Sequence, residues 1–427
     1  MTESSDEDTR PLTILLGCDT FAPDVNGAAR FAERLASGLV ARGHTVHVIA
    51  PSLTAFRTGE WDETHAGARL RMHRLFSLRW YPQEWLRFMM PWTMERNAGR
   101  ILDRIKPDAV HFQSHFVVGR GLSLAARSRG IRVIATNHTM PENMIEYTTV
   151  PKPLQPLLLK WAWRDATKIL KRADAVTTPT RRAADYLEEA TGISGIHAIG
   201  NGVRVSDYAA DFENRGARIV FVGRVTSEKR IDVLLRAVAL LPASLDWRLE
   251  IVGDGDQRHH LERLAGQLGI TERVTFSGLV PDEELKTAYT RADVLAMPST
   301  AELQSIVTME AMSSGLPVVA ADAMALPHLV HDGQNGYLFR PDDAADLAQK
   351  LERILTLPDE EFRRMKRASL RLIQAHDIER TLTTFECLYR GKPVTDPVTE
   401  FDSESECSSD DESGSDECHG NPVAEGR

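Results

Sequence analysis

The chain keeps two carboxylates where carboxylates are costly. Glu302 and Glu310 stand eight residues apart in PSTAELQSIVTMEAMSSGLPVVA (298–320), and Glu310 lies among Ile306, Val307, Met309 and Met312. Burying even a neutral polar group without a partner costs about 2–7 kcal/mol, so both groups need partners. The two oxygens of a carboxylate suit a vicinal diol. Glu302, on the turn after the run DVLAMPS, is placed to accept from sugar hydroxyls. Glu310, further along the helix that starts near Ser305, can reach a second diol such as a ribose. The backbone N–H groups of Leu303, Gln304, Ser305 and Ile306 open that helix toward the same ligand. Whether those partners are protein or ligand is left to the rest of the sequence.

Other chemistry-bearing residues also follow apolar runs. FVGRVTSEKRID (221–232) places Arg224 and Lys229 between such a run and a helix. Two cations beside helical N–H groups make a phosphate site; the plainer alternative is two solvated loop cations. FAPDVNGAARFAERLASGL (21–39) sets Asn26 and Gly27 before a helix expected near Ala28, and a glycine there lets backbone approach a ligand. TNHTMPE (136–142) presents His138, which either faces the ligand or is a satisfied structural residue. In VGDGDQRHH (252–260) Asp254 and Asp256 could hold a divalent ion, but a strand-to-helix turn with Asp256 as N-cap is the better reading. Gly333 and Gly336 in ALPHLVHDGQNGYLF (325–339) mark a tight turn before a short strand.

These residues need a scaffold that brings strand ends together. Short β-branched runs alternate with amphipathic helical stretches along the body. In the first half they are 12–17, 44–50, 108–113, 132–137 and 174–180, and in the second 218–223, 247–253, 273–278, 293–299 and 316–321. That alternation means βαβ units and parallel sheets covered on both faces. The series breaks at 199–218, where Gly, Asn and Asp accumulate. The expected architecture is α/β, with two doubly wound Rossmann-like domains facing a central cleft, into which the carboxyl ends of both sets of strands open. The segments are an acidic, disordered 1–11, a first domain 12–200, a linker 201–217 and a second domain 218–375. A helix over 376–392 then packs back toward the first domain, and a disordered acidic tail covers 393–427.

Charge excludes some functions. The chain carries 51 Lys+Arg and 61 Asp+Glu, but eleven of those acids and one base fall in 396–427, so the body is neutral and nucleic acid is not an expected partner. Four scattered cysteines give neither a disulfide framework nor a zinc site. The opening MTESSDEDTR is unlike a signal peptide, and no apolar run is long enough to span a bilayer, so a cytoplasmic location is expected.

In PLLLKWAWRDATKILKRAD (156–174), Lys160, Arg164, Lys168 and Arg172 recur at steps of four beside Trp161 and Trp163. Arg79 and Arg87 lie in the aromatic stretch RWYPQEWLRFMMPW (79–92). A basic helix bearing tryptophans suits the anionic inner face of a cell membrane, reached peripherally. An ordinary surface helix with a solvated basic stripe is the alternative.

Together these residues resemble glycosyltransferase family 4, whose members have the GT-B fold. The spacing Glu302-x7-Glu310 followed by EAMSSGLPVVA carries the resemblance most specifically, supported by FVGRVTSEKRID, VGDGD, DVLAMPS, NGYLF and PDVNGAARF, and it covers about residues 12–390. The resemblance implies a retaining transferase using a nucleoside diphosphate sugar, GDP-mannose or UDP-glucose, with no further cofactor and no metal. It makes Arg224 and Lys229 the diphosphate clamp, Glu302 the hexose-hydroxyl contact and Glu310 the ribose contact, so that ligand supplies the partners of both carboxylates. Gly27, beside Asn26, sits beneath the donor phosphate, and His138 stands at the reacting face. Where many members read E-G-F-G, this chain reads Glu302-Leu303-Gln304-Ser305, which leaves the sugar open. Relatives sharing this variant look like glycolipid transferases, so the expected acceptor is a diacylglycerol or phosphatidylinositol lipid. A soluble acceptor such as a sugar phosphate, inositol phosphate or glycan is the alternative. A non-catalytic nucleotide-sugar binder and a GT-B isomerase are the rivals, while a dehydrogenase is disfavoured because GxGxxG is missing.

Overall fold

The structure is a computed structural model that describes residues 10–395 except Val25, 55–56, 81–82, Met140, 142–150 and Asn214. Of the acidic segments expected at 1–11 and 393–427, residues 1–9 and 396–427 lie outside the described residues. The first half contains β1 (Thr13–Gly17), α1 (Gly27–Ala41), β2 (Thr45–Pro51), β3 (Gly59–His65), β4 (Ala68–Leu75), β5 (Ser77–Trp80) and β6 (Gln83–Met89). It continues with α2 (Pro91–Ile105), β7 (Ala109–Phe112), α3 (Val117–Arg127), β8 (Arg132–Thr136), α4 (Gln155–Leu170), β9 (Ala175–Thr178), α5 (Arg181–Thr191) and β10 (His197–Ala198).

The main sheet has the order β10-β9-β8-β7-β1-β2-β4-β3, parallel except for β3, which pairs antiparallel with β4. β5 and β6 form a separate hairpin. Sequence reading found β1, β2, β7, β8 and β9 but not β3 to β6 or the two-residue β10. β4 alternates buried Leu70 and Met72 with Arg69 and Arg71, a half-buried pattern. β3 is an edge strand rich in acids, and much of the aromatic stretch 79–92 is β6.

The second half contains β11 (Arg218–Val222), α6 (Ile231–Ala239), β12 (Arg248–Val252), α7 (Arg258–Gln267), β13 (Val274–Gly278), α8 (Asp282–Arg291) and β14 (Val294–Met297). There follow α9 (Ile306–Ser313), β15 (Val318–Ala321), β16 (Gly336–Phe339), α10 (Ala344–Leu355), α11 (Asp359–Leu372) and α12 (Ile378–Tyr389). Its sheet is wholly parallel with the order β13-β12-β11-β14-β15-β16. The chain order reverses between β11 and β14, and that reversal leaves a crevice at the carboxyl ends of these strands.

Each half has its own apolar core. In the first, α1 packs on one face of the sheet and α2 to α5 on the other. α12 returns to the α1 face, burying Ile378, Leu382, Phe385 and Leu388 there. The chain therefore crosses between the halves twice, and the crossings lie side by side. Val203 N donates to His376 O and Ile378 N to Val203 O, both at 3.0 Å.

Two glycines explain the VGDGD motif. An added Cβ would lie 1.9 Å from Gly223 O at Gly253 and 2.3 Å from Val225 O at Gly255, so the turns after β11 and β12 touch through backbone. The N-cap of α7 is Gln257 without a side-chain cap bond, not Asp256 as expected. Asp256 instead accepts from the Gln257 side chain at 3.1 Å, because the backbone contact between the turns delays the helix by one residue.

Candidate functional site

The loops after β11 and β14 flank the crevice where strand order reverses. Arg224 and Lys229 stand on the first of these loops, and Glu302 to Ser305 on the second. The loops are clipped together by Thr300 N, which donates to Glu228 O at 3.4 Å, and by Ser299 Oγ at 3.5 Å from the same oxygen. Lys229 Nζ is ion-paired to Glu302 Oε1 across the crevice. Arg224 pairs with Glu228 at 3.2 Å. Both cations therefore rest on carboxylates of the same site.

Ser305 caps α9, its Oγ accepting from Thr308 N at 3.4 Å. That cap holds the N–H groups at the start of α9 toward the first half. Across the gap, Asn26 caps α1 by accepting from Ala29 N at 2.9 Å. Gly27 faces Ile306: a Cβ on Gly27 would lie 3.8 Å from Ile306 Cδ1. Leu303 O accepts from Thr180 Oγ1 of the first half at 3.3 Å. Gln304 turns to the crossing segment, where its Oε1 accepts from Asn201 N at 2.6 Å.

Glu310 is 2% exposed, and the structure corrects the expectation that ligand supplies its partners. Arg34 NH2 of α1 is 2.5 Å from Glu310 Oε1, and Tyr289 OH of α8 donates to Oε2 at 3.0 Å. A carboxylate so buried must be compensated within the folded chain itself. Burial, followed by the Glu310 charge, pushes the pKa of both Tyr289 and Tyr208 well above the ordinary phenol range. Sequence reasoning missed Arg34, Tyr289 and Tyr208. A signal existed, since Gly27, Arg30 and Arg34 fall on one helical face, and Arg30 pairs with Asp282 of the second half at 3.3 Å.

His138 follows β8 and is half-buried. Its ring lies 5.1 Å from that of Phe31, one turn along α1 from Gly27. Its Nε2 meets Gln113 Oε1 at 2.9 Å, and burial pushes its pKa down to about 3. The ring is therefore neutral and stands beneath the same helix start as Gly27.

On α4 the structure exposes Lys160, Arg164 and Lys168, which have no ionic partner among the described residues, together with Leu157 and Trp161, 70% and 64% exposed. A groove of about 480 Å³ between α4 and α5 is lined by these three cations and Trp163. Arg172 departs from the expected stripe: the end of α4 turns it inward, half-buried, with NH1 3.5 Å from Ser123 Oγ. Among the described residues no helix is long and apolar enough to cross a membrane.

Two doubly wound domains joined by a double crossing, with charged strand-end loops lining the gap, define the GT-B class of glycosyltransferases. Residues 25–207 match the family described as Glycosyltransferase Family 4, and residues 209–371 match Glycosyl transferases group 1. The chain belongs to glycosyltransferase family 4. It is 30% identical over 342 residues to the GDP-mannose-dependent alpha-mannosyltransferase of Mycolicibacterium smegmatis, covering 78% of this chain and 85% of that protein. It is also 30% identical over 270 residues to the sulfoquinovosyl transferase SQD2 of Arabidopsis thaliana, covering 59% of this chain and 50% of that one. In fold it is similar to a sucrose-phosphate synthase from Thermosynechococcus elongatus, with a TM-score of 0.73 at 21% identity over 90% of this chain and 99% of the other.

Proposed function

We propose that the protein is a retaining hexosyltransferase that moves mannose or glucose from a nucleoside diphosphate sugar to a lipid acceptor at the inner face of a membrane. The observation that carries this reading is the Lys229–Glu302 pair set across the crevice, with Arg224 on the same loop. A donor diphosphate takes Lys229 and Arg224 from their carboxylates, and Glu302 is then free to accept from the hexose hydroxyls. Glu310, anchored by Arg34 and Tyr289, keeps lone pairs for the ribose. Gly27 leaves room for the donor phosphate beneath α1, and His138 meets the sugar from the first domain.

None of these carboxylates is placed as a nucleophile for two successive displacements. The departing diphosphate oxygen takes the proton of the acceptor hydroxyl on the same face of the sugar. The anomeric carbon–phosphate oxygen bond breaks as the carbon–acceptor bond forms, leaving an α-linkage. Arg224 and Lys229 stabilise the charge that gathers on the diphosphate, each such donor contributing roughly 3–4 kcal/mol. The reaction needs the hexosyl donor and acceptor and no resident cofactor. The name of the M. smegmatis relative favours GDP-mannose over UDP-glucose as donor.

The acceptor reading rests on exposed apolar side chains. Ten large hydrophobic residues are exposed among the described residues, and seven lie between Leu53 and Trp161 in the first domain. Leu157 and Trp161 share α4 with Lys160, Arg164 and Lys168, and Leu154 immediately precedes it, so one helix offers groups for both acyl chains and anionic headgroups. Each cation contributes about 1 kcal/mol at such a surface.

The test incubates the full chain with GDP- and UDP-sugars in EDTA, with or without vesicles carrying diacylglycerol or phosphatidylinositol, and follows nucleoside diphosphate release. Release from one donor that rises with one lipid is the expected result. Release indifferent to every lipid moves the acceptor into solution, and donor binding without release makes the protein a sensor.

A further inference from the structure

Beneath His138 a chain of buried polar groups runs through the first domain to α12. Gln113, 2% exposed, follows β7 and places Oε1 2.9 Å from His138 Nε2. An amide oxygen only accepts, so His138 carries its proton on Nε2. The other end of the same amide, Nε2, lies 3.3 Å from His111 Nε2. An amide nitrogen only donates, so that atom of His111 is a lone pair. The Thr136 hydroxyl, at 2.6 Å, is the nearer donor sharing that lone pair with the amide, and Thr136 accepts in turn from Thr177 Oγ1 at 2.7 Å. His111 then holds its proton on Nδ1 and donates to Tyr389 OH at 2.8 Å. Phe385 stacks on His111 at 4.9 Å between ring centroids, so the imidazole cannot rotate without moving α12.

The directions along this chain are linked. Each imidazole is neutral, because burial pushes both His111 and His138 down to about 3, and each therefore has one N–H and one lone pair. A half-turn of the Gln113 amide would reverse the proton on both rings at once. His138 Nδ1 has no partner among the described residues. It is the ring atom left for a ligand, on a side chain beneath the start of α1 near Gly27.

We propose that Gln113 and His111 are positioning residues that fix His138 as the Nε2–H tautomer, so that Nδ1 meets the donor sugar as a hydrogen-bond acceptor. His138 then receives a proton-bearing hydroxyl of the sugar and orients it, without giving up a proton. Tyr389 anchors the far end, which makes α12 part of the support of the site and not only of the core. The contact with sugar rests on the transferase reading above, whereas the tautomer does not.

Imidazole nitrogen NMR on the full chain tests the assignment without substrate. The expected result is a lone pair on His138 Nδ1 with a proton on Nε2, and the reverse on His111. A proton on His138 Nδ1 means that the Gln113 amide stands turned, and overturns the assignment. Gln113→Leu, close in size, should leave His138 in mixed tautomers and lower kcat about tenfold, the size of one neutral hydrogen bond, with the donor KM within about twofold. Gln113→Glu keeps an acceptor for His138 and should restore most of kcat. Unchanged tautomers and kcat in Gln113→Leu, or a rise in KM alone, would refute the positioning role. If the unaltered chain turns over no donor, the transferase reading fails while the NMR result still decides the tautomer.

Discussion

Replacing Arg34 by methionine removes the cation from an ion pair that joins the two domains. Arg34 NH2 and Glu310 Oε1 are 2.5 Å apart, with side-chain exposures of 21% and 3%. Taking one partner from a buried pair costs about 3–5 kcal/mol. Tyr289 OH still donates to Glu310 at 3.0 Å, and the partial exposure of Arg34 weakens the pair, so R34M is expected to cost about 2–3 kcal/mol. E310Q should cost less, about 1–2 kcal/mol, because an amide oxygen still accepts from Tyr289 and water reaches the guanidinium. With both charges gone, the double variant should cost less than the two singles together, giving a coupling of about 1.5–2 kcal/mol. Urea unfolding of the four proteins, followed by tryptophan fluorescence, supplies the cycle. The pair spans the gap between domains, so R34M should also resolve the transition into two steps. Single costs that add within about 0.5 kcal/mol would refute the coupling, and with it the assignment of Arg34 as the partner of the buried carboxylate.

Further outcomes follow from the site and the fold. K229A should lower kcat/KM on the order of 10²–10³-fold and weaken GDP or UDP binding by calorimetry. E302Q should lower kcat while leaving nucleotide binding nearly intact, and undiminished binding in K229A would dismiss the clamp. G253A puts a Cβ 1.9 Å from Gly223 O at φ +136° and should destabilise the second domain by more than about 3 kcal/mol in thermal unfolding. G43A, at φ +88° with nothing within 4 Å, should cost only about 1 kcal/mol.

What could be read from the sequence depended on the range of the interaction. The buried parallel strands, such as Ile14–Leu16 and Val318–Ala321, are continuous apolar runs because both faces are covered, and local pattern was enough to find them. β3 and β4 escaped because their stability comes from pairing across the strand. Arg74, 1% exposed, is tolerated in β4 because it meets Glu63 of β3 and donates to Pro51 O and Ala22 O, at 3.2 and 2.9 Å. The same distinction divides the two glutamates. Glu302 is answered by Lys229, a residue the sequence already grouped with it by motif. Glu310 is answered by Arg34, 276 residues away on the other domain, and nothing local to the helix of Glu310 announces it.

The presence of such a partner was nevertheless implied by the burial itself. A carboxylate at 2% exposure carries its desolvation cost whether or not a sugar nucleotide is bound. A ligand can meet that cost only while it is bound, so a buried binding carboxylate needs a standing cation in the protein. Arg34 meets that requirement for Glu310, and Lys229 does so for Glu302. The two cases differ in what a ligand does next. On the proposed reading the diphosphate takes Lys229, so donor binding would exchange its partner and release Glu302 to the hexose. Arg34 lies on the opposite domain, away from that exchange, so on the same reading the Glu310 pair would persist as a tie across the cleft. A donor site of the proposed kind would therefore be built from one ion pair that binding breaks and one that binding leaves in place.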